Sequence, residues 1–400
     1  MNLFLNKLFF NIPNIQAPNN DNLRSRRAVG FKGLEKDVFQ KSEVHNISFT
    51  GNKSSGSTSK GDVLKELDNI TCPYSGVKLI SPKRMDRLER TLAKCSNIHE
   101  RMEILEPYKN SMQELEKEVF TIFRGYEISN PGKTMNDCLN ELKPDCLAEL
   151  RMAELKVLDD VDLSANKFDA KTALKVRKIT TKARQKIIED KQDSIFKRKD
   201  LLVEIHDITK DYPDQTIVAE MWAKANKLPK STNDFNAFVV KYANRSPQEI
   251  AARLLKPSLS TVEHIKPANR NTKDIEQGAD DLTNFMVTAR DWNSGRSNTP
   301  LPEFIKRHPN IPKYSQRYIE DIIRAIHKGK LKDCNWYPYV IKERLYNESQ
   351  GLIDLNLDKY QIDIITALNS APKDVIATYN NLLEEKKSIV KLNPDTFLTE

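Results

Sequence analysis

The sequence predicts a mainly α-helical protein that contains one small α+β element. Residues 84–255 and 311–400 place apolar side chains at helical intervals over long stretches. A segment near residue 280 differs, because two short apolar runs there are separated by a polar loop. With 400 residues, of which 38% are hydrophobic, the chain can form two or three packed units.

Composition restricts the environment and the partners of the chain. A net charge of +8 is compatible with a polyanionic partner such as nucleic acid. No run approaches the roughly 20 apolar residues that span a bilayer, so we expect no membrane partner. The apolar first ten residues are interrupted by Asn6 and Lys7 and are followed by no clear cleavage site, which favours a cytoplasmic location. Five cysteines without a C-x-x-C pair indicate reduced thiols.

Five segments differ in composition and pattern. A Gly/Ser-rich run before residue 61 is typical of a linker, and Pro73 to Gly76 is a turn signal between two apolar runs. We therefore predict, in chain order, a flexible N-terminal tail and linker (1–61), a hairpin that belongs to the later core (62–83), a helical, basic insertion or binding domain (84–255), a small α+β core (256–310) and a C-terminal helical region (311–400).

Two features of the 84–255 segment allow specific predictions. Ser246 followed by Pro247 predicts the start of a helix, since serine caps helices and proline suits their first turn. Residues 171–200 are strongly basic, with apolar positions that loosely fit one helical face (Leu174, Ile179, Ile187 and Ile188). This stretch is either an ordinary solvated helix surface or a helix that contacts phosphates.

The segment around residue 280 predicts a strand–loop–strand–helix unit. Residues 261–265 form the first expected strand, which Pro267 ends, and residues 284–288 form the second. A short helix is expected to open near Ala289 and to end around Gly295. A unit of this size would bring Glu263, His264 and Asn293 together.

The ordered residues of this segment resemble the ββα-metal core of the HNH endonucleases. The resemblance is carried by Glu263-His264-Ile265 with Pro267, Asn284, Asn293, Gly295-Arg296, Thr299-Pro300 and Glu303-Phe304. It covers about 45 residues, so the expected fold is an HNH core embedded among helical segments. Many relatives carry Asp where this chain has Glu263, which puts the metal position in question more than the role of His264.

The resemblance implies a metal-dependent endonuclease that hydrolyses nucleic-acid phosphodiester bonds, with DNA rather than RNA as the expected substrate. His264 would activate water as the general base, and Asn284 would hold the strand by hydrogen bonds across the loop. Glu263 and Asn293 would bind Mg²⁺ or Mn²⁺, and the ion would stabilise the leaving 3′ oxygen. The basic residues near the core that would contact nucleic acid are Lys266, Arg290 and Arg296.

Many HNH proteins also contain two C-x-x-C knuckles that bind zinc. Here the knuckle positions fall at Cys72, Ser75, Ala289 and Trp292, so three of the four thiolates are missing and we expect no structural zinc. His308 lies near the core in sequence and would either contact a metal or phosphate or simply occupy the surface.

Plainer interpretations remain open at this stage. His264 could be a buried strand histidine and Asn293 a helix cap. The chain could then be a non-catalytic helical nucleic-acid-binding or scaffold protein with a degenerate HNH core. A third possibility is a protein-interaction module whose partner binds the C-terminal helices.

Overall fold

The computed structural model describes residues 63–64, 66–190, 194–267 and 280–392. This part of the chain is mainly helical and contains one two-stranded antiparallel sheet, as the sequence predicts. The predicted tail and linker at 1–61 lie outside the described residues. In the described part, no helix combines the length and apolar character needed to cross a membrane.

In chain order, the helices and strands of the described residues are α1 (Pro82–Leu92), α2 (Ile98–Leu105), α3 (Glu114–Ser129), α4 (Met135–Ala165), α5 (Ala170–Ile188), α6 (Arg198–Thr209), α7 (Gln215–Ala225), α8 (Phe235–Tyr242), α9 (Pro247–Arg253), β1 (Ser260–His264), β2 (Phe285–Ala289), α10 (Arg290–Arg296), α11 (Leu301–Arg307), α12 (Ile311–His327), α13 (Tyr337–Glu348), α14 (Gln361–Asn369) and α15 (Lys373–Leu392).

Local capping explains why several helices begin where they do. The Ser246 side chain accepts a hydrogen bond from the backbone N–H of Glu249, and the Glu249 side chain accepts one from the backbone of Ser246. This capping box supplies partners for amide groups that a helix start leaves unbonded. The predicted helix start at Ser246 and Pro247 is therefore confirmed.

Three hydrophobic cores organise the described residues. The 31-residue helix α4 joins two of them: its first half packs in one core with α1, α3 and α8, and its second half packs in another with α5, α6 and α7. The third core contains the hairpin near residue 75, strand β2, Ile265 just after β1, and the C-terminal helices.

Of the four apolar positions that the sequence places on one face of α5, Ile187 is buried and Ile179 is half-buried, whereas the other two are exposed. Leu174 and Ile188 are 68% and 72% exposed, whereas the buried face consists of Ala173, Val176, Thr180, Ala183 and Ile187. The small side chains of Ala173 and Ala183 allow α5 to approach the neighbouring helices closely, so the size of an apolar side chain does not by itself indicate whether it is buried.

The two strands pair with His264 opposite Phe285 and Glu263 opposite Met286. Two buried tyrosines supply hydrogen-bond partners for the backbone of β2. The Tyr318 hydroxyl accepts from the N–H of Val287 at 3.0 Å, and the Tyr337 hydroxyl donates to the carbonyl of Phe285 at 2.8 Å. Because these groups would otherwise be buried without partners, α12 and α13 complete the sheet as well as cover it.

The segment at 70–80 folds as a tight turn beside the sheet. Thr71 and Lys78 form an antiparallel bridge, and Gly76 adopts a φ of 74°, which glycine accommodates without strain. Ile80 then pairs with the chain just before β1, since its N–H donates to the carbonyl of Ser258 and its carbonyl accepts from Ser260. The hairpin therefore packs against the small sheet, although α1 to α9 lie between them in sequence.

Candidate active site

His264 lies at the end of β1, where the strand gives way to a loop. Its ring contacts that of Phe285 edge-on, with centroids 4.8 Å apart, because the two residues are opposite each other in the sheet. The Nε2 atom lies 2.9 Å from the Oδ1 atom of Asp280, and 27% of the histidine side chain remains exposed. The imidazole is thus oriented by an aromatic ring and a carboxylate while still reaching solvent. His264 is therefore not a fully buried strand histidine.

Asn284 connects the two ends of the loop between the strands. Its side chain accepts a hydrogen bond from the backbone N–H of Lys266 and donates one to the carbonyl of the same residue, both at 2.9 Å. The backbone carbonyl of Asn284 also accepts from the N–H of Ile265. Asn284 is fully buried, so these contacts are shielded from water and hold the chain immediately after His264.

Glu263 points away from solvent and forms a buried ion pair with Arg296. Glu263 is 4% exposed and Arg296 is 1% exposed, and the guanidinium donates directly to the carboxylate. Burial raises the pKa of the Glu263 carboxyl to about 7, because desolvation outweighs the opposing influence of Arg296. The buried Tyr74 hydroxyl lies beside this pair but makes no hydrogen bond of normal geometry within the described part of the chain.

Arg296 also holds the backbone at the end of β1. Its guanidinium donates to the carbonyls of His264 at 2.9 Å and Ile265 at 2.8 Å. The prediction that Arg296 contacts nucleic acid was therefore wrong, because its donors are enclosed and serve the strand that carries His264. The sequence places an arginine at this position but does not indicate whether its side chain faces solvent or the strand.

Asn293 lies on α10, half-buried over β1. Its amide nitrogen donates to the carbonyl of Val262 at 2.9 Å and to the Oγ1 atom of Thr261 at 3.2 Å. These bonds fasten the helix to the strand, so Asn293 is more than a helix cap. With its nitrogen directed at β1 and the Glu263 carboxylate bound by Arg296, the two predicted ligands are each engaged in protein contacts.

The donor types at this site nevertheless suit a hard cation. Glu263 contributes a carboxylate and Asn293 an amide oxygen, both of which Mg²⁺ accepts as ligands. For Glu263 to bind an ion, its ion pair with Arg296 would have to open. The positive guanidinium would also repel a nearby cation, so the expected role of Glu263 as a metal ligand rests on its donor chemistry and not on its present contacts.

The other predicted contact residues differ in accessibility. Arg290 is exposed at the first position of α10, where its side chain can meet a phosphate. Lys266 is half-buried, with its backbone held by Asn284. His308 packs against the rings of Trp292 and Phe304, with centroids 4.8 and 4.7 Å away, and burial lowers its pKa. Its position is explained by this aromatic packing.

The positions of the zinc knuckles are occupied by packed side chains. Cys72 and Ala289 are neighbours, since the Cys72 sulfur accepts a hydrogen bond from the Ala289 N–H at 3.3 Å. Trp292 donates through its indole nitrogen to Gln113 at 3.1 Å and contacts Phe304. Tyr74 of the hairpin also contacts Phe304, so aromatic packing joins the hairpin to α10 at the place where thiolates would bind a metal in a knuckle.

A separate cluster of possible ligands lies on α2 and α3. Among the described residues, His99, Glu103 and Glu127 form the one group of three His, Cys, Asp or Glu side chains close enough to share an ion. The Arg124 guanidinium already pairs with two of the three side chains, Glu127 at 2.7 Å and Glu103 at 3.1 Å. The possible ligands of this cluster are therefore already paired with one another and with Arg124.

Sequence reasoning did not assign a role to Asp280. This residue follows the loop between the strands and is 61% exposed, and it makes the carboxylate contact to His264. A carboxylate that accepts from one ring nitrogen fixes the imidazole tautomer and stabilises its protonated form. In the sequence, only the presence of an acidic residue between the two predicted strands could have indicated this contact with His264.

Comparison of the chain with protein-family models, with curated proteins and with solved structures finds no match.

Proposed function

We propose that this protein is an HNH-type endonuclease that hydrolyses phosphodiester bonds in nucleic acid, with DNA as the expected substrate. The observation that supports the proposal most strongly is the geometry around His264. A partly exposed histidine lies at the end of β1, is oriented by Asp280, and is followed by a loop that Asn284 clamps from β2. These contacts support the proposal, because they would orient the imidazole and fix the backbone that carries it.

In the proposed reaction, His264 removes a proton from the attacking water. When Nε2 donates its hydrogen to Asp280, the lone pair of the neutral ring lies on Nδ1, which accepts the proton. The imidazolium that forms is stabilised by the Asp280 carboxylate. Asn284 and Arg296 act as positioning residues, since both hold the backbone that carries His264.

A divalent cation held by Glu263 and Asn293 would, when bound, neutralise charge that develops on the leaving oxygen. The exposed Arg290 at the start of α10 would contact the phosphate backbone of the substrate. Arg296 would take no part in binding nucleic acid, because it is enclosed.

A second candidate function has one observation in its favour. The Glu263 carboxylate is neutralised by Arg296, as expected if the core has lost its metal and its activity. The chain would then be a helical nucleic-acid-binding or scaffold protein with a degenerate HNH core. The exposed Ile362 and Ile365 on α14 would suit a protein partner in that case.

A cleavage assay separates the two candidates. Purified protein is incubated with supercoiled DNA and with RNA, in the presence of Mg²⁺, Mn²⁺ or EDTA, beside His264→Ala. We expect cutting that needs the cation and falls by about a hundredfold or more in the variant, because a general base contributes roughly that much. A protein that binds nucleic acid but cuts neither substrate under any of these conditions would support the second candidate.

A further inference from the structure

Helix α5 carries a row of lysines along its exposed side. Over the 19 residues of this helix there are seven lysines and arginines and no aspartate or glutamate. Five lysines share one face, because their spacings of three and four residues follow the helical repeat. We call them the lysine row: Lys171, Lys175, Lys178, Lys182 and Lys186, all exposed.

The arginines of α5 are already engaged, whereas most of the lysine row is not. Arg184 binds Asp159 at 2.8 Å and also binds Asp162, both on α4. Lys182 reaches Glu204 only at 3.5 Å. The ammonium groups of the other four members form no ion pair with an acidic side chain among the residues that the structure describes. Four positive charges therefore face solvent from one side of a rigid helix.

We propose that the lysine row of α5 binds the phosphate backbone of nucleic acid. From Lys171 to Lys186 the row covers about 22 Å at 1.5 Å per residue. Duplex DNA carries one negative charge per roughly 1.7 Å of its axis, so a surface of this length can neutralise several phosphates at once. Ammonium groups on flexible stems make such contacts without reading the base sequence.

The structure favours nucleic acid over an anionic membrane as the partner. A helix that binds in the membrane interface exposes an apolar face beside its basic face. In α5 the opposite face is buried in a protein core through Val176, Ala183 and Ile187. The exposed Leu174 and Ile188 lie at the two ends of the helix and do not form a continuous apolar strip.

The test measures binding without cleavage. In EDTA and in the His264→Ala background, fluorescence anisotropy gives the affinity for a 30-base-pair DNA and a matching RNA as a function of salt. The test variant carries Lys171→Gln, Lys175→Gln, Lys178→Gln and Lys186→Gln, since glutamine preserves helix propensity. A control variant with the same charge loss carries glutamine at exposed lysines elsewhere, namely Lys94, Lys328, Lys330 and Lys332.

We expect the α5 variant to lose about tenfold or more in affinity near 100 mM salt, and the slope of log K against log salt to decrease by up to about 4. The control should retain most of its affinity and slope. Equal behaviour of the two variants would overturn the proposal, as would stronger wild-type binding to phosphatidylserine vesicles than to either nucleic acid. Because no cleavage is measured, the result does not depend on nuclease activity.

Discussion

Replacing Arg296 with methionine should destabilise the core that carries the sheet. Methionine occupies a similar elongated volume, but it leaves the carboxylate of Glu263 and the carbonyls of His264 and Ile265 without their donor. Removing one partner of a buried ion pair costs about 3–5 kcal/mol, because the other charge remains desolvated. We expect a loss of this size in the free energy of unfolding.

A double-mutant cycle isolates the contribution of the pair. Glu263→Leu alone should also be destabilising, because it leaves the Arg296 charge buried. The double variant Glu263→Leu with Arg296→Met should be less destabilised than the sum of the two single variants, by about 2–3 kcal/mol. Arg290→Met, exposed on the same helix, serves as the matched control and should change stability by less than about 0.5 kcal/mol.

Urea unfolding followed by tryptophan fluorescence provides the assay. Two of the three tryptophans, Trp292 and Trp336, belong to the hydrophobic core that contains the sheet, so the signal reports on the affected region. If the two single changes proved fully additive, or if Arg296→Met cost no more than Arg290→Met, the buried ion pair would be refuted.

Three further predictions concern the same core. Because the Glu263 pKa is about 7 in the folded protein against the usual 4.5, the unfolded chain releases this proton first, so stability should fall as the pH rises from about 4.5 to 7. Glu263→Gln should remove this pH dependence of stability, which is worth at most about 3 kcal/mol. Urea unfolding at several pH values measures the dependence, and identical pH profiles for the wild type and Glu263→Gln would contradict the prediction. Asn284→Ala should cost about 2–4 kcal/mol in unfolding free energy, because both side-chain hydrogen bonds to the backbone of Lys266 are lost. The same change should lower the cleavage rate about tenfold or more. An unchanged unfolding free energy would show that these hydrogen bonds are dispensable. Gly76→Ala should destabilise by about 2 kcal/mol or more, since φ is positive and the new Cβ would lie 2.6 Å from the Tyr314 ring. The contrasting change Gly295→Ala, in a helix with open space around it, should stabilise by about 0.5–1 kcal/mol, and urea unfolding measures both glycine variants.

The helices and the small sheet could be predicted because their signals are local. Ser246 and Pro247 mark a helix start by their own chemistry, and short apolar runs on either side of a polar loop indicate paired strands. The strands begin and end within one residue of the predicted bounds. Spacing and capping are properties of neighbouring residues, so one sequence contains them in full.

The partners of the site residues could not be predicted in the same way. Glu263 is bound by Arg296, 33 positions later, and the choice between that pair and a metal depends on which way each side chain turns. Asp280 contacts His264 from 16 positions further along the chain. Contacts that depend on three-dimensional packing leave no periodic signal in the sequence.

The buried face of α5 shows a related limit. The larger apolar residues Leu174 and Ile188 attract attention in the sequence, but the helix buries Ala173 and Ala183 among others. Close approach of helices favours small side chains, and the partner helices α4 and α6 determine which face is covered. Apolar character alone did not identify that face.

The claim that His264 accepts the proton from water can be tested by chemical rescue. His264→Gly removes the imidazole and leaves a space at the end of β1, and DNA cleavage is then measured at increasing concentrations of free imidazole. We expect the variant to be nearly inactive and its cleavage rate to rise with imidazole towards a plateau. Cleavage by His264→Gly at the wild-type rate without imidazole would contradict the proposed role.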